Sequence, residues 1–505
     1  MKKNIKVLLL NPFLEVFSDD PAGINPVLGL AYLASFLRKK NTEVKIIDIA
    51  AEGADCVKKV GEKTRYGLPE EQIIERIRDY DPQIIGITCQ STLHANEAHE
   101  TAKLAKMAKK ESLLVMGGAH PSAVPGEVLN DKNIDVVVRG EGEITFWDVV
   151  KKYSKKRAFA DVNGISFRKS NKIVHNSPRP LLRNLNDLPF PARDLLPMAK
   201  YLQESEKGAN YNMNDRVMTM ITSRGCPGNC IYCAVRTVWG KTWRGRSPEN
   251  VVDEIESVIK EFKIKEFHFL DDSIAVDKQR LKGICDEIIK RKLDIKWTTP
   301  NGIAIWLLDE KLLLKMKKAG CYRLTFGLES GNKGVLLNFI GKNYDHDKAR
   351  EMIKFASKIG MWTIGTFIVG FPYETKEQIE DTINYAISTD LDFAVFYIAN
   401  PFPGTPLYEI YKKEGLLPAG GAYEIVRGCK TKNFSHKELI EIQQQATSEF
   451  LKSRFSKPCL VLRKPLSVEG VWYLLRLGMK IIKLFDTGRL KNKGIAALWK
   501  RKTIN

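Results

Sequence analysis

The sequence predicts an α/β protein: an N-terminal Rossmann/flavodoxin-like domain, a partial (βα)6 barrel of the TIM type, and a small helical C-terminal extension. Three observations carry that expectation. Short apolar runs alternate with helical patterns twice, once before residue 150 and again after Val217. A proline-rich stretch, Leu185–Asp194, separates the two series and reads as a linker. Glycines and acidic pairs recur just past the predicted strands, the edge at which parallel α/β sheets bind ligands. At 505 residues the chain is too long for one core, and 44% hydrophobic content suits globular domains. The expected limits are 1–180, a linker over 181–212, a barrel over 213–414 and a basic helical region over 415–505.

The opening apolar run is far shorter than a signal peptide's and ends in a turn at Asn11-Pro12, so it reads as a first strand. The first series predicts strands at Lys6–Leu10, Val44–Ile49, Ile84–Thr88, Leu113–Met116 and Asp135–Val138, with helices such as Leu28–Lys39 and Asn96–Lys109 between them. Right-handed crossovers of this kind build a parallel sheet covered on both faces. Gly117-Gly-Ala-His-Pro-Ser122 follows the fourth strand and Arg139-Gly-Glu-Gly-Glu143 the fifth, each allowing close backbone approach to a ligand. No GxGxxG follows the first strand, which argues against a nicotinamide or flavin dinucleotide and for another large planar cofactor. The bland alternative is a domain of this fold that binds nothing and packs on its neighbour.

The second series predicts barrel strands at Val217–Thr222, Glu266–Leu270, Ile295–Thr299, Arg323–Gly327, Thr363–Val369 and Phe393–Ala399. Their ends carry the distinctive residues. Asp271-Asp272 ends the second strand, Asn301-Gly302 the third, Gly327-Leu-Glu-Ser-Gly331 the fourth and Gly370-Phe-Pro372 the fifth. The loop leaving the first strand holds Cys226, Cys230 and Cys233 in a CxxxCxxC run. Iron–sulfur clusters normally take one thiolate per iron, so three cysteines on a four-iron cluster leave one iron open. Structural zinc would need a fourth, closing ligand, and no further CxxC or HxxxH lies nearby. Arg244 and Arg246 either steady this loop, contact an anionic substrate or form a solvated basic turn.

A strand followed by Gly-Gly-Ala-His-Pro, then Arg-Gly-Glu-Gly-Glu, ahead of a CxxxCxxC loop resembles the cobalamin-dependent radical S-adenosylmethionine (SAM) enzymes. The resemblance runs over nearly the whole chain and is similar to the anaerobic magnesium-protoporphyrin monomethyl ester cyclase-like group. It implies three cofactors: a [4Fe–4S] cluster on the three cysteines, SAM and cobalamin. The corrinoid is expected across the first domain's strand ends, with Thr88, Ser91 and Thr92 near its nucleotide tail and Gly117, Gly118, Gly140 and Gly142 beneath it. Cobalamin domains of the methionine synthase type carry an Asp-x-His-x-x-Gly loop, whereas this chain has Asn25-Pro-Val-Leu-Gly29. Cobalt is therefore expected to lack a histidine lower ligand; His120 is the nearest replacement, against a structural role at a helix start.

For SAM the resemblance implies Tyr232 near adenine, Asp271 and Asp272 at the methionine amine, and Asn301 at the third strand end. Glu329 and Ser330 would take the ribose hydroxyls, with Gly365 and Gly370 letting the fifth strand pass under adenine. Helix capping is the alternative role for Asp271-Asp272, and a buried structural carboxylate the alternative for Glu329. The implied reaction is reductive cleavage of SAM to a 5′-deoxyadenosyl radical, fed by an external donor such as flavodoxin or ferredoxin. Methylation of an unactivated carbon in a lipid-like or other natural-product substrate is the leading expectation. Oxidative cyclisation or ring rearrangement is the alternative within the family, and a non-catalytic corrinoid and cluster sensor the alternative outside it.

Scattered placement of the other six cysteines argues against a disulfide framework and for a reducing cytoplasm. No segment offers the roughly 18 uninterrupted apolar residues of a spanning helix. Of the formal net charge of +20, residues 451–505 supply +12, from 14 Lys and Arg against 2 Asp and Glu, so nucleic-acid binding by the main body is not expected. Val471–Phe485 places Arg476, Lys480 and Lys483 at helical spacing among apolar residues. Such a helix packs on the barrel or, aided by Trp472, lies peripherally on the inner membrane surface, which would favour a lipid-like substrate.

Overall fold

The computed structural model describes residues 5–17, 23–156, 158–206, 212–418 and 428–457, together with Lys464 and Tyr473. The first apolar runs form a seven-stranded sheet in the spatial order Lys172–His175, Ile165–Lys169, Val136–Val138, Leu113–Gly117, Ile84–Thr88, Lys6–Asn11 and Glu43–Asp48. Five strands are parallel, and the two after Val138 run antiparallel at one edge. Both faces of the parallel part are apolar because helices cover both: Leu8, Leu10 and Ile85 face one cluster, Val7, Leu9 and Ile84 the other. A three-stranded antiparallel sheet, Leu14–Phe17, Val57–Val60 and Lys63–Tyr66, is a feature that βαβ periodicity does not announce.

The barrel strands are Val217–Met220, Glu266–Phe269, Lys296–Ile303, Cys321–Glu329, Trp362–Val369 and Phe393–Ile398, all parallel and in sequence order. All six predicted strands are present. Helices between them are capped by side chains: Ser247, Asp277, Asp309, Asp345 and Thr375 each accept a first-turn amide. A two-residue antiparallel ladder, Ser223–Arg224 with Arg244–Gly245, sits beyond the first barrel strand and forms the base of the cysteine loop.

The stretch expected as a linker is packed rather than loose. Leu185, Arg193, Leu196, Met198 and Tyr201 are buried. Ala192 donates its amide to Ala31 O at 3.0 Å, and the Tyr201 hydroxyl bonds Asp48 of the first sheet. Proline punctuates the backbone here without freeing it. Beyond the barrel, the helix His436–Phe455 lies along the last barrel strand, and Arg454 donates to the carbonyls of Ile387, Thr389 and Leu391.

Lys464 and Tyr473 both pack on the barrel. Lys464 pairs with Asp392 at 2.8 Å, and Tyr473 lies against Trp362 and Tyr322 with its oxygen accepting from Arg323 at 3.1 Å. The rest of the expected basic helix, including Trp472, falls outside the described residues. Among the described residues no helix is long and apolar enough to cross a membrane.

Candidate active site

At the carboxyl end of the barrel the cysteine loop leaves the short ladder. Gly225 turns it with φ 88°, and the tip Pro227-Gly-Asn229 is exposed. Arg236 holds the tip by donating to Gly228 O and Asn229 Oδ1, both at 3.0 Å. Burial pushes up the thiols of Cys230 and Cys233, the latter to about 11 with added repulsion from the other two cysteines. Neighbouring thiols of which Cys230 and Cys233 resist ionising unaided are a site in want of cationic charge. Among the described residues no three His, Cys, Asp or Glu side chains converge as they would around one ion, whereas a cluster spreads its thiolates over separate irons.

Around that loop the barrel ends supply a charged, hydrogen-bonded wall. Lys342 Nζ donates to Glu329 Oε1 at 2.6 Å and to Gly327 O at 3.2 Å. Its side chain is only 14% exposed; burial opposes its charge, but Glu329 and Cys230 more than offset this and raise its pKa. Glu329 itself has φ 67°, a left-handed conformation that costs a non-glycine residue about 1–2 kcal/mol. Tyr232 lies beside Glu329, where burial together with the Glu329 charge holds its phenol well above the usual range, and faces Phe371 with ring centroids 6.4 Å apart. Tyr232, Glu329 and Lys342 thus form one group beside the thiols.

The other residues expected at SAM divide by how their atoms are used. Asp271 is buried and accepts Thr222 N at 3.2 Å, Thr222 Oγ1 at 2.7 Å and Ser223 Oγ, so both oxygens serve the first strand's end. Asp272 accepts Gly225 N at 3.0 Å, and burial pushes its carboxyl up to about 6. Ser330 is turned inward onto Thr382 Oγ1 at 2.9 Å. Asn301 is exposed, lines a cavity and donates to Leu270 O at 2.8 Å. At Gly365 a Cβ would strike the Leu391 side chain. Gly370 has φ 84° and donates to Glu374 Oε2 at 2.6 Å, so both glycines are required by the strand's own packing.

On the first domain's side, Gly117, Gly118, Gly140 and Gly142 line a cleft of about 340 Å³ with Thr88, Gln90, Tyr32, Arg224 and Trp239. A Cβ at Gly142 would meet nothing within 4 Å, and at Gly117 and Gly140 nothing nearer than 3.5 Å: missing side chains are what keep the cleft open. A second cavity of about 640 Å³ opens between Asn11–Leu14, Gly23–Val27 and the barrel residues Thr219, His268, Asn301 and Arg323. The two adjoin, with Pro26, Thr88, Gln90 and Leu270 lining both. Ser91 and Thr92 line neither. Ser91 caps the next turn, and Thr92 Oγ1 lies 3.1 Å from His120 Nδ1. His120 is buried in that pairing, and burial, with repulsion from His99, pushes its pKa down to about 4, which suits a structural imidazole.

The Radical SAM superfamily model matches residues 220–386 and the B12 binding domain model residues 16–150. An uncharacterised methyltransferase of Pyrococcus horikoshii is 38% identical over 82% of this chain and 85% of its own length. The cytidylyl-2-hydroxyethylphosphonate methyltransferase of Streptomyces wedmorensis is 32% identical over 82% of both. This chain is a cobalamin-dependent radical SAM enzyme. The anaerobic magnesium-protoporphyrin IX monomethyl ester cyclase of Rubrivivax gelatinosus is also similar, 29% identical over 80% of this chain and 70% of its own. The fold is shared with the cobalamin-dependent SAM radical enzyme OxsB, at TM-score 0.71 and 20% identity over 97% of this chain and 71% of that one. It is shared too with the radical SAM methyltransferase TsrM of Kitasatospora setae, at 0.66 and 19% over 81% and 76%.

As a member of that family the enzyme uses a [4Fe–4S] cluster, SAM and cobalamin. Its residues fit them: three clustered thiols wanting cationic charge, a polar wall beside them, and a glycine-lined cleft with no side chain filling it. Sequence reasoning missed two parts of this cobalamin-dependent radical SAM enzyme. Lys342 sits alone in a loop, with no motif to mark it. Arg224, two residues before the first cysteine, meets Glu141 and Glu143 of the other domain, and only the fold brings them together. Arg244 resolves toward steadying the cluster loop, since it is buried on Glu141 at 2.8 Å, while buried Arg246 pairs with Glu254.

Proposed function

We propose that this enzyme transfers a methyl group from SAM to an unactivated carbon of a small-molecule substrate bound in the 640 Å³ cavity. One observation carries the reading: that cavity adjoins the glycine-lined cleft, sharing Pro26, Thr88, Gln90 and Leu270 with it, and is lined on its other side by the barrel residues Thr219, His268, Asn301 and Arg323. When bound, the cluster and SAM supply the one-electron chemistry that activates the carbon, and the corrinoid supplies a methyl carrier. The chain's own residues bind and orient. Cys226, Cys230 and Cys233 hold three irons, and Glu329, with its charge balanced by Lys342, accepts from the ribose hydroxyls. Tyr232 would back the adenine, Asn301 and Asp272 would face the methionine end, and Thr88 with Gly117, Gly118, Gly140 and Gly142 would hold the corrinoid at the strand ends.

The cavity is two-faced. Phe13, Leu14, Ile24, Pro26 and Val27 form an apolar wall, and Thr219, His268 and Arg323 a polar floor. That pairing suits a lipid-like or other natural-product molecule with an apolar body and a polar end. Similarity to the ester cyclases supports oxidative cyclisation as the second reading. Anaerobic incubation of the reconstituted enzyme with methyl-deuterated SAM, a reductant and fractions of a cell extract separates the two by mass spectrometry. Methyl transfer predicts a product heavier by the labelled methyl; label confined to methionine, with a product that has lost hydrogens, would establish cyclisation instead.

A further inference from the structure

The two carboxylates of the Arg139-Gly-Glu-Gly-Glu143 run are taken up by arginines at the base of the cysteine loop. Glu141 precedes the helix Gly142–Ser154 and Glu143 lies in its first turn. Arg224 Nη1 donates to Glu141 Oε1 at 3.0 Å and Nη2 to Glu143 Oε1 at 2.6 Å. Arg244 Nη1 donates to the same Glu141 oxygen at 2.8 Å and to Leu182 O at 2.7 Å, and Glu141 Oε2 accepts Leu182 N at 2.7 Å. Every side chain in this group is at most 7% exposed.

Arg224 and Arg244 are direct partners in the two-residue ladder at the base of the cysteine loop. Two carboxylates from the first domain therefore grip both strands of the ladder, the one that leads into Cys226 and the one that returns after Cys233. The same Arg224 lies over the Trp239 and Tyr32 rings at 4.9 and 5.4 Å, and Arg224, Trp239, Tyr32 and Glu143 all line the glycine cleft. Two acids and two bases bury no net charge, but any one left alone would be an uncompensated charge in a dry site, so the group holds one arrangement. Corrinoid lying in the cleft would press on the very residues that set the base of the cluster loop.

We propose that Glu141 and Glu143 are positioning residues that couple the two cofactor sites: occupancy of the corrinoid cleft and occupancy of the cysteine loop strengthen each other through Arg224 and Arg244. Such coupling is reciprocal by necessity, so either site reports it.

The test is a thermodynamic cycle on the full chain under anaerobic conditions. Hydroxocobalamin affinity is measured by ultrafiltration and absorbance for cluster-loaded protein and for the triple variant Cys226→Ala, Cys230→Ala, Cys233→Ala. Each is then repeated with Glu143→Gln. The expected result is a loss of at least about 5-fold on removing the cluster from the otherwise native chain, falling to within about 2-fold in the Glu143→Gln background. An equal loss in both backgrounds, or none in the native one, overturns the coupling while leaving both cofactors assigned; no corrinoid binding by the cluster-loaded native chain overturns the cleft assignment as well. Should Glu143→Gln fail to fold by circular dichroism, Glu141→Gln, which keeps the Arg224–Glu143 pair, is put through the same cycle and is expected to reduce the ratio without abolishing it. An unchanged ratio there overturns the proposal.

Discussion

The two sites proposed for the cofactors are built in opposite ways. The corrinoid cleft is made by leaving things out: glycines at the strand ends, a small Ala119, and walls of Leu33, Val115 and Val138. The cluster and SAM side is made by putting charge in: three thiols, Lys342 on Glu329, Asp272 on Gly225, Arg236 on the loop tip. A large rigid ligand is recognised by the space kept for it, whereas a small charged one needs partners for its polar atoms. Damage should therefore be steric on one side and electrostatic on the other.

The sharpest break is removal of the three cysteines. Changing Cys226, Cys230 and Cys233 to Ala should take iron from about four per chain to background and abolish 5′-deoxyadenosine formation, with corrinoid still bound at saturating concentration though more weakly; iron and corrinoid assays on one sample decide it. Next in size is Gly142→Leu. Because a Cβ there meets open space, the melting temperature should hold while the added side chain weakens hydroxocobalamin binding by about 10- to 100-fold and leaves iron unchanged. Gly118→Ala is its control: φ is 123° and a Cβ would collide with the Cys89 carbonyl, so stability should fall by a few kcal/mol, on the order of 2–4, before binding is considered.

Smaller effects are expected from single charges. Lys342→Met leaves Glu329 without its cation and should weaken SAM binding about 10-fold, the worth of one charge-assisted hydrogen bond, with corrinoid affinity untouched. Calorimetric titration of both ligands would show whether the two sides are separable in this way. Glu374 tests burial alone. It is fully buried, and desolvation pushes its carboxyl up to about 7 although it accepts the Gly370 and Phe371 amides. A carboxyl whose folded pKa lies above its unfolded value near 4.5 contributes stability below pH 4.5 that is lost as pH rises toward 7. Glu374→Gln, which can still accept both amides, should therefore be more stable than the parent at pH 8 by about 1–2 kcal/mol and show a flatter melting temperature between pH 5 and 7.

The same contrast explains what could be read in advance. Strands of both domains were legible because buried parallel strands are continuous apolar runs, and Gly140 and Gly142 because a residue without a side chain is conspicuous beside a helix start. Cys226, Cys230 and Cys233 announced themselves by spacing. Lys342 and the Glu141–Arg224 pair did not, since their partners lie 13 and 83 residues away and a lone Lys or Glu has the composition of any surface. Asp271 and Ser330 stood at the right strand ends, yet their atoms are used by Thr222, Ser223 and Thr382, a distinction that only geometry draws. Leu185–Asp194 had the composition of a spacer and is pinned by buried Leu185 and Arg193.

Tyr473 has a bearing on the order of events during synthesis. The first sheet needs nothing beyond His175, so the corrinoid domain can close while most of the barrel is still unmade. Tyr473 packs on Tyr322 and Trp362 and touches Arg323, which lines the floor of the proposed substrate cavity. Roughly 300 residues separate the two points in the sequence, about 15–60 s of translation at ordinary rates. The residue that braces the floor of the proposed substrate cavity thus arrives last, well after the sheet bearing the proposed corrinoid cleft is complete.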